Sequence, residues 1–148
     1  PLNFRWIGLI KIFFPSAKII HCFREPKDNC LSLYKNLFEG NLNFCYNEND
    51  LATYYNLYSD LMKFWKKLYP HGFLDVQYES LINDQNLEIK KIINYCNLDW
   101  EENCLNFDKN KNPIKTVSLS QARRPIYNSS VKSYQNFEPY LKELFSLV

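Results

Sequence analysis

The strongest periodicity in the chain lies between residues 51 and 68. Leu51, Tyr54, Tyr55, Tyr58, Leu61, Met62, Trp65 and Leu68 recur at spacings of three and four, the signature of one apolar helix face. Asn49 or Asp50 is suited to cap its start, and Pro70-His71-Gly72 ends it. Nearer the N-terminus, Ile7, Ile10, Phe13 and Phe14 share a face and predict a helix over 2–14, stopped at Pro15. The run Ala17–Phe23 is short, apolar and contains two adjacent isoleucines. It predicts a strand buried on both faces, as in a parallel sheet. Pro26 suits a first helical position, and Cys30, Leu31, Tyr34, Leu37 and Phe38 predict a helix over 27–38. Residues 39–49, with Gly40 and four Asn, read as a loop. Phe73–Tyr78 predicts a second strand, Leu87–Cys96 an amphipathic helix, and Phe137–Leu147 a closing helix. Residues 110–128 are polar and aperiodic.

The alternation of helix, strand, helix, long helix, strand and helix predicts an α/β domain with a parallel sheet flanked by helices. Two strands are few for such a sheet, since the usual number is about five or six. The expectation is therefore a domain whose N-terminal part lies upstream of Pro1.

Composition narrows the picture. A chain of 148 residues, 46% hydrophobic and 17% aromatic, is enough for one domain with a core. The 18 Lys and Arg against 16 Asp and Glu leave a net charge of +2, which argues against an acidic tail, a polycation or a disordered segment. It also argues against a nucleic-acid binder, which would carry a clustered basic face. The apolar stretch Trp6–Phe14 is too short for a membrane span, which needs about 20 residues, and no secretory leader is visible. The five cysteines, Cys22, Cys30, Cys45, Cys96 and Cys104, form no CxxC and fall mostly within apolar patterns. They read as reduced thiols of a cytoplasmic protein, and the spacings to His21 and His71 suit no metal site.

Candidate chemistry sits at the strand ends, because ligands of open α/β sheets bind beyond the carboxyl ends of the strands. One end is Cys22-Phe23-Arg24-Glu25-Pro26 and the other Val76-Gln77-Tyr78-Glu79. Arg24 leaves a buried strand just ahead of a helix N-terminus, whose free N–H groups and partial positive charge favour an anion. From the residues alone, Arg24 is either an anion ligand or a surface ion-pairing arginine. Ser32, eight residues on, has a hydroxyl that could donate to the same anion. His21, inside the apolar run, reads as a satisfied buried histidine rather than a base.

The ordered set of Pro1–Phe4, Phe14-Pro15-Ser16-Ala17-Lys18-Ile19-Ile20-His21-Cys22-Phe23-Arg24-Glu25-Pro26-Lys27-Asp28, Cys30–Tyr34, Asp75–Leu81, Tyr95–Trp100, Ser118, Gln121, Arg124–Tyr127 and Ser129–Val131 resembles the sulfotransferases that use 3′-phosphoadenosine 5′-phosphosulfate (PAPS). It is most similar to the bacterial branch often fused to tetratricopeptide repeats, itself similar to the tyrosylprotein sulfotransferases. The resemblance runs nearly the whole chain in order. It implies the P-loop-NTPase-like sulfotransferase fold, incomplete here at its N-terminus, with residues 1–148 as the C-terminal part of a single domain. It implies transfer of a sulfuryl group from PAPS to a hydroxyl acceptor, with no metal.

The resemblance also implies roles for individual residues. Arg24 and Ser32 correspond to the pair that holds the 3′-phosphate, and Tyr78 to a tyrosine that contacts the nucleotide. A half-buried strand-end tyrosine is the plainer alternative for Tyr78. Ser118 corresponds to a serine near nucleotide and acceptor. Lys132 lies near a family lysine on the phosphates, although Ser133 occupies the aligned slot before Tyr134. Where the tyrosylprotein branch has a further Arg, this chain has Asn36, with Lys35 beside it. Arg123 and Arg124 either line an acceptor groove or sit on a solvated loop. No GxxxxGK[ST]-like stretch occurs, so the phosphosulfate loop and the catalytic base are expected upstream, and no catalytic residue is assigned within the chain.

Overall fold

A computed structural model of the chain describes residues 2–38, 40, 42–106 and 128–148. A 3-10 turn, Asn3–Trp6, leads into helix α1, Ile7–Phe13. Strand β1 is Ile19–Phe23, followed by α2, Pro26–Tyr34. The long helix α3, Glu48–Leu68, precedes strand β2, Phe73–Gln77. Helices α4, Tyr78–Asn83, and α5, Gln85–Tyr95, follow, and α6, Lys142–Leu147, comes last. The strands pair in parallel, from Ile19 opposite Phe73 to Phe23 opposite Gln77, with α2 and α3 in the crossover between them. The α/β architecture with a parallel sheet flanked by helices is thus present, with two strands among the described residues.

Several boundaries differ from the sequence expectation, each for a local reason. Helix α3 starts before Asn49: Asn47 is its cap, and its Oδ1 accepts the N–H of Asp50 at 3.0 Å. Glu48 and Asp50 then fall in the first turn, where the helix dipole favours acids. Helix α2 ends at Tyr34, leaving Leu37 almost fully exposed. The closing helix starts only at Lys142 because Pro139 has no N–H and disfavours helical backbone in the residue before it. The loop over 39–49 contains a 3-10 turn at Asn43–Tyr46 that buries Cys45.

The expectation of a strand buried on both faces fails for β1. Ile19, His21 and Phe23 are half-buried, while Ile20 and Cys22 are exposed. His21 meets Tyr58 of α3, and Lys66 of the same helix lies over the Phe23 ring. Among the described residues, no layer covers the other face equally.

The main core forms where α2, α3 and α6 meet. It contains Cys30, Leu31, Leu51, Ala52, Leu141, Leu144 and Phe145. Glu48 ties two of these helices together by accepting the Leu144 N–H at 3.1 Å. Leu144 is fully buried, so Leu144→Ala is expected to destabilise the fold by about 2–5 kcal/mol, through lost burial and the cavity left behind. Denaturant unfolding checks this. Against α3, Gly8 lets α1 approach closely: a Cβ there would sit 2.7 Å from the Trp65 ring. The Trp65 indole N–H donates to the Phe4 carbonyl at 3.1 Å across the same contact.

Candidate functional site

Because Phe23 and Gln77 are register partners, the next residue of each strand, Arg24 and Tyr78, leaves the sheet side by side. The Arg24 guanidinium carbon lies 5.2 Å from the centre of the Tyr78 ring, within cation–π range. A hydrogen bond joins the two strand ends, with the Glu25 N–H donating to Glu79 Oε1 at 3.0 Å. Glu25 also caps α2, its Oε2 accepting the Asp28 N–H at 2.9 Å, and Pro26 occupies the first turn as expected. The sequence thus delivers an arginine to the mouth of a parallel sheet, beside a capped helix start.

The C-terminal segment closes over this point. Asp28 is 1% exposed. Its carboxylate accepts the Lys132 N–H at 2.6 Å, the Ser133 hydroxyl at 3.0 Å and the Tyr134 N–H at 2.9 Å. Arg24 Nη2 lies 3.5 Å from the same carboxylate and donates to the Ser130 carbonyl at 2.8 Å. Lys132 has φ +57°, a left-handed turn that aims successive donors at one acceptor. Tyr78 Oη and Ser130 Oγ are 3.3 Å apart. A buried carboxylate is costly unless charge and hydrogen bonds compensate it, and this one has both.

Arg24 lines two adjoining clefts. One, about 210 Å³, adds Cys22, Phe23, Asn29, Tyr55, Tyr58 and Tyr78. The other, about 330 Å³, is bounded by Glu25, Pro26, Gln77, Glu79, Val131 and Lys132, among others. Arg24 Nε is buried and has no hydrogen-bond partner among the described residues. The guanidinium therefore retains donor capacity, in the fork geometry that suits a phosphate.

The structure brings Arg24 and Tyr78 together and sets Lys132 at the edge of the larger cleft. The Lys132 contact to Asp28 is through its backbone, and the residue is exposed. Ser32 is half-buried about two turns along α2, lines neither cleft, and its carbonyl accepts from Asn36 Nδ2 at 2.6 Å. Ser118, Arg123 and Arg124 lie outside the described residues. His21 has both ring nitrogens engaged and a side chain only 12% exposed. Burial pushes the Cys30 thiol up to about 12, with Glu25 and Cys45 adding to the effect, and burial also raises Cys22 and Tyr55. The thiols and this phenol therefore stay protonated at neutral pH.

Sequence reasoning missed Asp28, Glu25, Glu79 and Ser130. Asp28 carried a partial signal, because an acid in a first helical turn favours the helix dipole. Its partners more than a hundred residues away had none.

A parallel α/β unit with an arginine at the strand mouth has the layout of a ligand-binding domain of the open-sheet class. Comparison with known proteins makes it specific: residues 1–102 match the sulfotransferase family, and the chain belongs to that family. An uncharacterized protein of Aquifex aeolicus (strain VF5) is 32% identical over 151 residues, covering 100% of this chain and 20% of that protein. The chain spans about a fifth of that relative's length. No described helix is long and apolar enough to cross a membrane.

Proposed function

We propose that this chain is the nucleotide-facing, C-terminal part of a PAPS-dependent sulfotransferase domain, in which Arg24 holds the 3′-phosphate. The observation that carries this reading is the Arg24 guanidinium at the strand mouth, set against Tyr78 and keeping a buried Nε without a partner among the described residues. PAPS supplies the sulfuryl group, which passes to a hydroxyl oxygen while the bond to the nucleotide phosphate breaks.

The residues of this chain bind and orient the nucleotide. Arg24 provides the charged fork, and Asp28 and Ser130 hold that fork in place. Ser32 is assigned as second phosphate donor, Tyr78 as a nucleotide contact, Lys132 to the phosphates and Ser118 to the region between nucleotide and acceptor. Support differs among them. Tyr78 shares a cleft with Arg24, Lys132 edges the other cleft, and Ser32 lies outside both. The catalytic base and the phosphosulfate loop are assigned N-terminal to this chain, where tetratricopeptide repeats are also proposed. The five cysteines, all unpaired, favour a cytoplasmic setting.

The test is a calorimetric titration of the domain, extended upstream, with adenosine 3′,5′-bisphosphate and with 5′-AMP. The bisphosphate is expected to bind about 10- to 100-fold tighter, the size of one or two charged hydrogen bonds. Equal affinities would overturn the assignment. Tighter bisphosphate binding without sulfuryl transfer would instead identify a non-catalytic nucleotide-binding domain on the same fold.

A further inference from the structure

A second polar cluster crosses the sheet beside the Arg24 clefts. His21 and Asp75 are register partners on neighbouring strands, and His21 Nδ1 lies 2.8 Å from Asp75 Oδ1. His21 Nε2 lies 2.6 Å from the Tyr58 hydroxyl on α3. Lys66, two turns further along α3, donates to Asp75 Oδ2 at 2.6 Å. Phe23 stacks on the imidazole at 5.4 Å.

The direction of each hydrogen bond follows from charge. Burial alone would raise the Asp75 carboxyl, but hydrogen bonds and charge from Lys66 and His21 outweigh it and hold the group below its ordinary value. An ionised carboxylate only accepts, so His21 Nδ1 carries a hydrogen. In the neutral ring Nε2 is then bare, and the Tyr58 hydroxyl donates to it. Burial, helped by the charge on Asp75, raises the Tyr58 phenol, so it keeps that hydrogen. The only hydrogen of the hydroxyl is committed to His21, and the oxygen has only lone pairs left to offer.

Tyr58 also lines the cleft of about 210 Å³ that holds Arg24, Tyr78 and Asn29. We propose that His21 and Asp75 are positioning residues that fix Tyr58 as an acceptor-only group in this cleft, selecting a ligand that presents an O–H or N–H donor beside its anionic group. The inference rests on the reading of Arg24 as an anion ligand. Arg24 offers only donors and Tyr58 only an acceptor. A nucleoside phosphate matches both, through its phosphate and through a ribose hydroxyl or base amino group.

The test titrates the upstream-extended domain with adenosine 3′,5′-bisphosphate at about pH 8, comparing wild type, Tyr58→Phe and Arg24→Ala. Thermal unfolding confirms that each variant is folded. Tyr58→Phe is expected to bind about 5- to 10-fold more weakly near pH 8. Nitrogen-15 NMR of the His21 ring is expected to show the Nδ1–H tautomer. Wild-type affinity of Tyr58→Phe near pH 8, where Arg24→Ala has lost binding, would overturn the inference and leave the Arg24 reading standing. An Nε2–H tautomer would overturn it equally. Wild-type affinity in Arg24→Ala would sink the nucleotide reading itself.

Discussion

Asp28→Ala is expected to cost the fold about 3–5 kcal/mol, the range for removing one partner of a buried ion pair. The side chain is fully buried and accepts from Lys132, Ser133 and Tyr134, with Arg24 3.5 Å away. Truncation leaves those donors without their acceptor and removes the carboxylate that pairs with Arg24. Unpaired groups of this kind each cost about 1–3 kcal/mol. Asp28→Asn keeps the volume and one acceptor oxygen but turns an NH₂ toward a donor, so it is expected to recover only part of the loss. Denaturant unfolding of the three proteins measures this. A change below about 1 kcal/mol for Asp28→Ala would show that the segment 130–134 is held by other contacts. The same variant is expected to weaken nucleotide binding, because the clasp sets the position of Arg24.

Arg24→Ala is expected to weaken binding of adenosine 3′,5′-bisphosphate by about 1.5–3 kcal/mol, or roughly 10- to 150-fold, while leaving 5′-AMP nearly unaffected. The selectivity separates a lost phosphate ligand from a general disturbance of the site. Arg24→Lys is expected to restore little. Lysine is a point charge without the planar fork, and it could not both donate to the Ser130 carbonyl and keep a second donor over the Tyr78 cleft as the guanidinium does. Calorimetry with both nucleotides reads the effect. Equal losses for the two would place Arg24 in a structural role.

The two variants also differ in what they probe. Asp28 acts through a contact that joins residues 104 to 106 positions apart. Arg24 acts at the cleft. A stability loss larger for Asp28→Ala than for Arg24→Ala would match this division, because without Arg24 the buried carboxylate still accepts from Lys132, Ser133 and Tyr134. Asp28 accepts several hydrogen bonds in the interior, whereas Arg24 donates to the Ser130 carbonyl and keeps a partly exposed side chain.

Much of this protein was legible along the chain because the signals are local. The period of α3, the apolar runs of both strands and Pro26 at a helix start each depend on residues within a turn or two. The alternation of elements predicted the α/β class, and the motif around Arg24 pointed to the strand mouth where it stands. Local competition blurred the boundaries. Asn47, Asn49 and Asp50 are all good caps, and only the folded chain shows Asn47 in that place.

Tertiary structure decided what lies between distant segments. Whether β1 is covered on one face or two depends on the layers packed against it, and five residues of sequence do not encode those layers. The clasp of Asp28 by Lys132, Ser133 and Tyr134 requires the C-terminal segment to return to α2. The Tyr58–His21–Asp75 chain requires a strand register and a helix phase at once. The sequence by itself determined the elements and placed Arg24 at the end of a strand, because periodicity and backbone stereochemistry act over a few residues. The partners of its buried polar groups were decided only by the fold, because a hydrogen bond is set by distance and direction in space, whatever the separation along the chain.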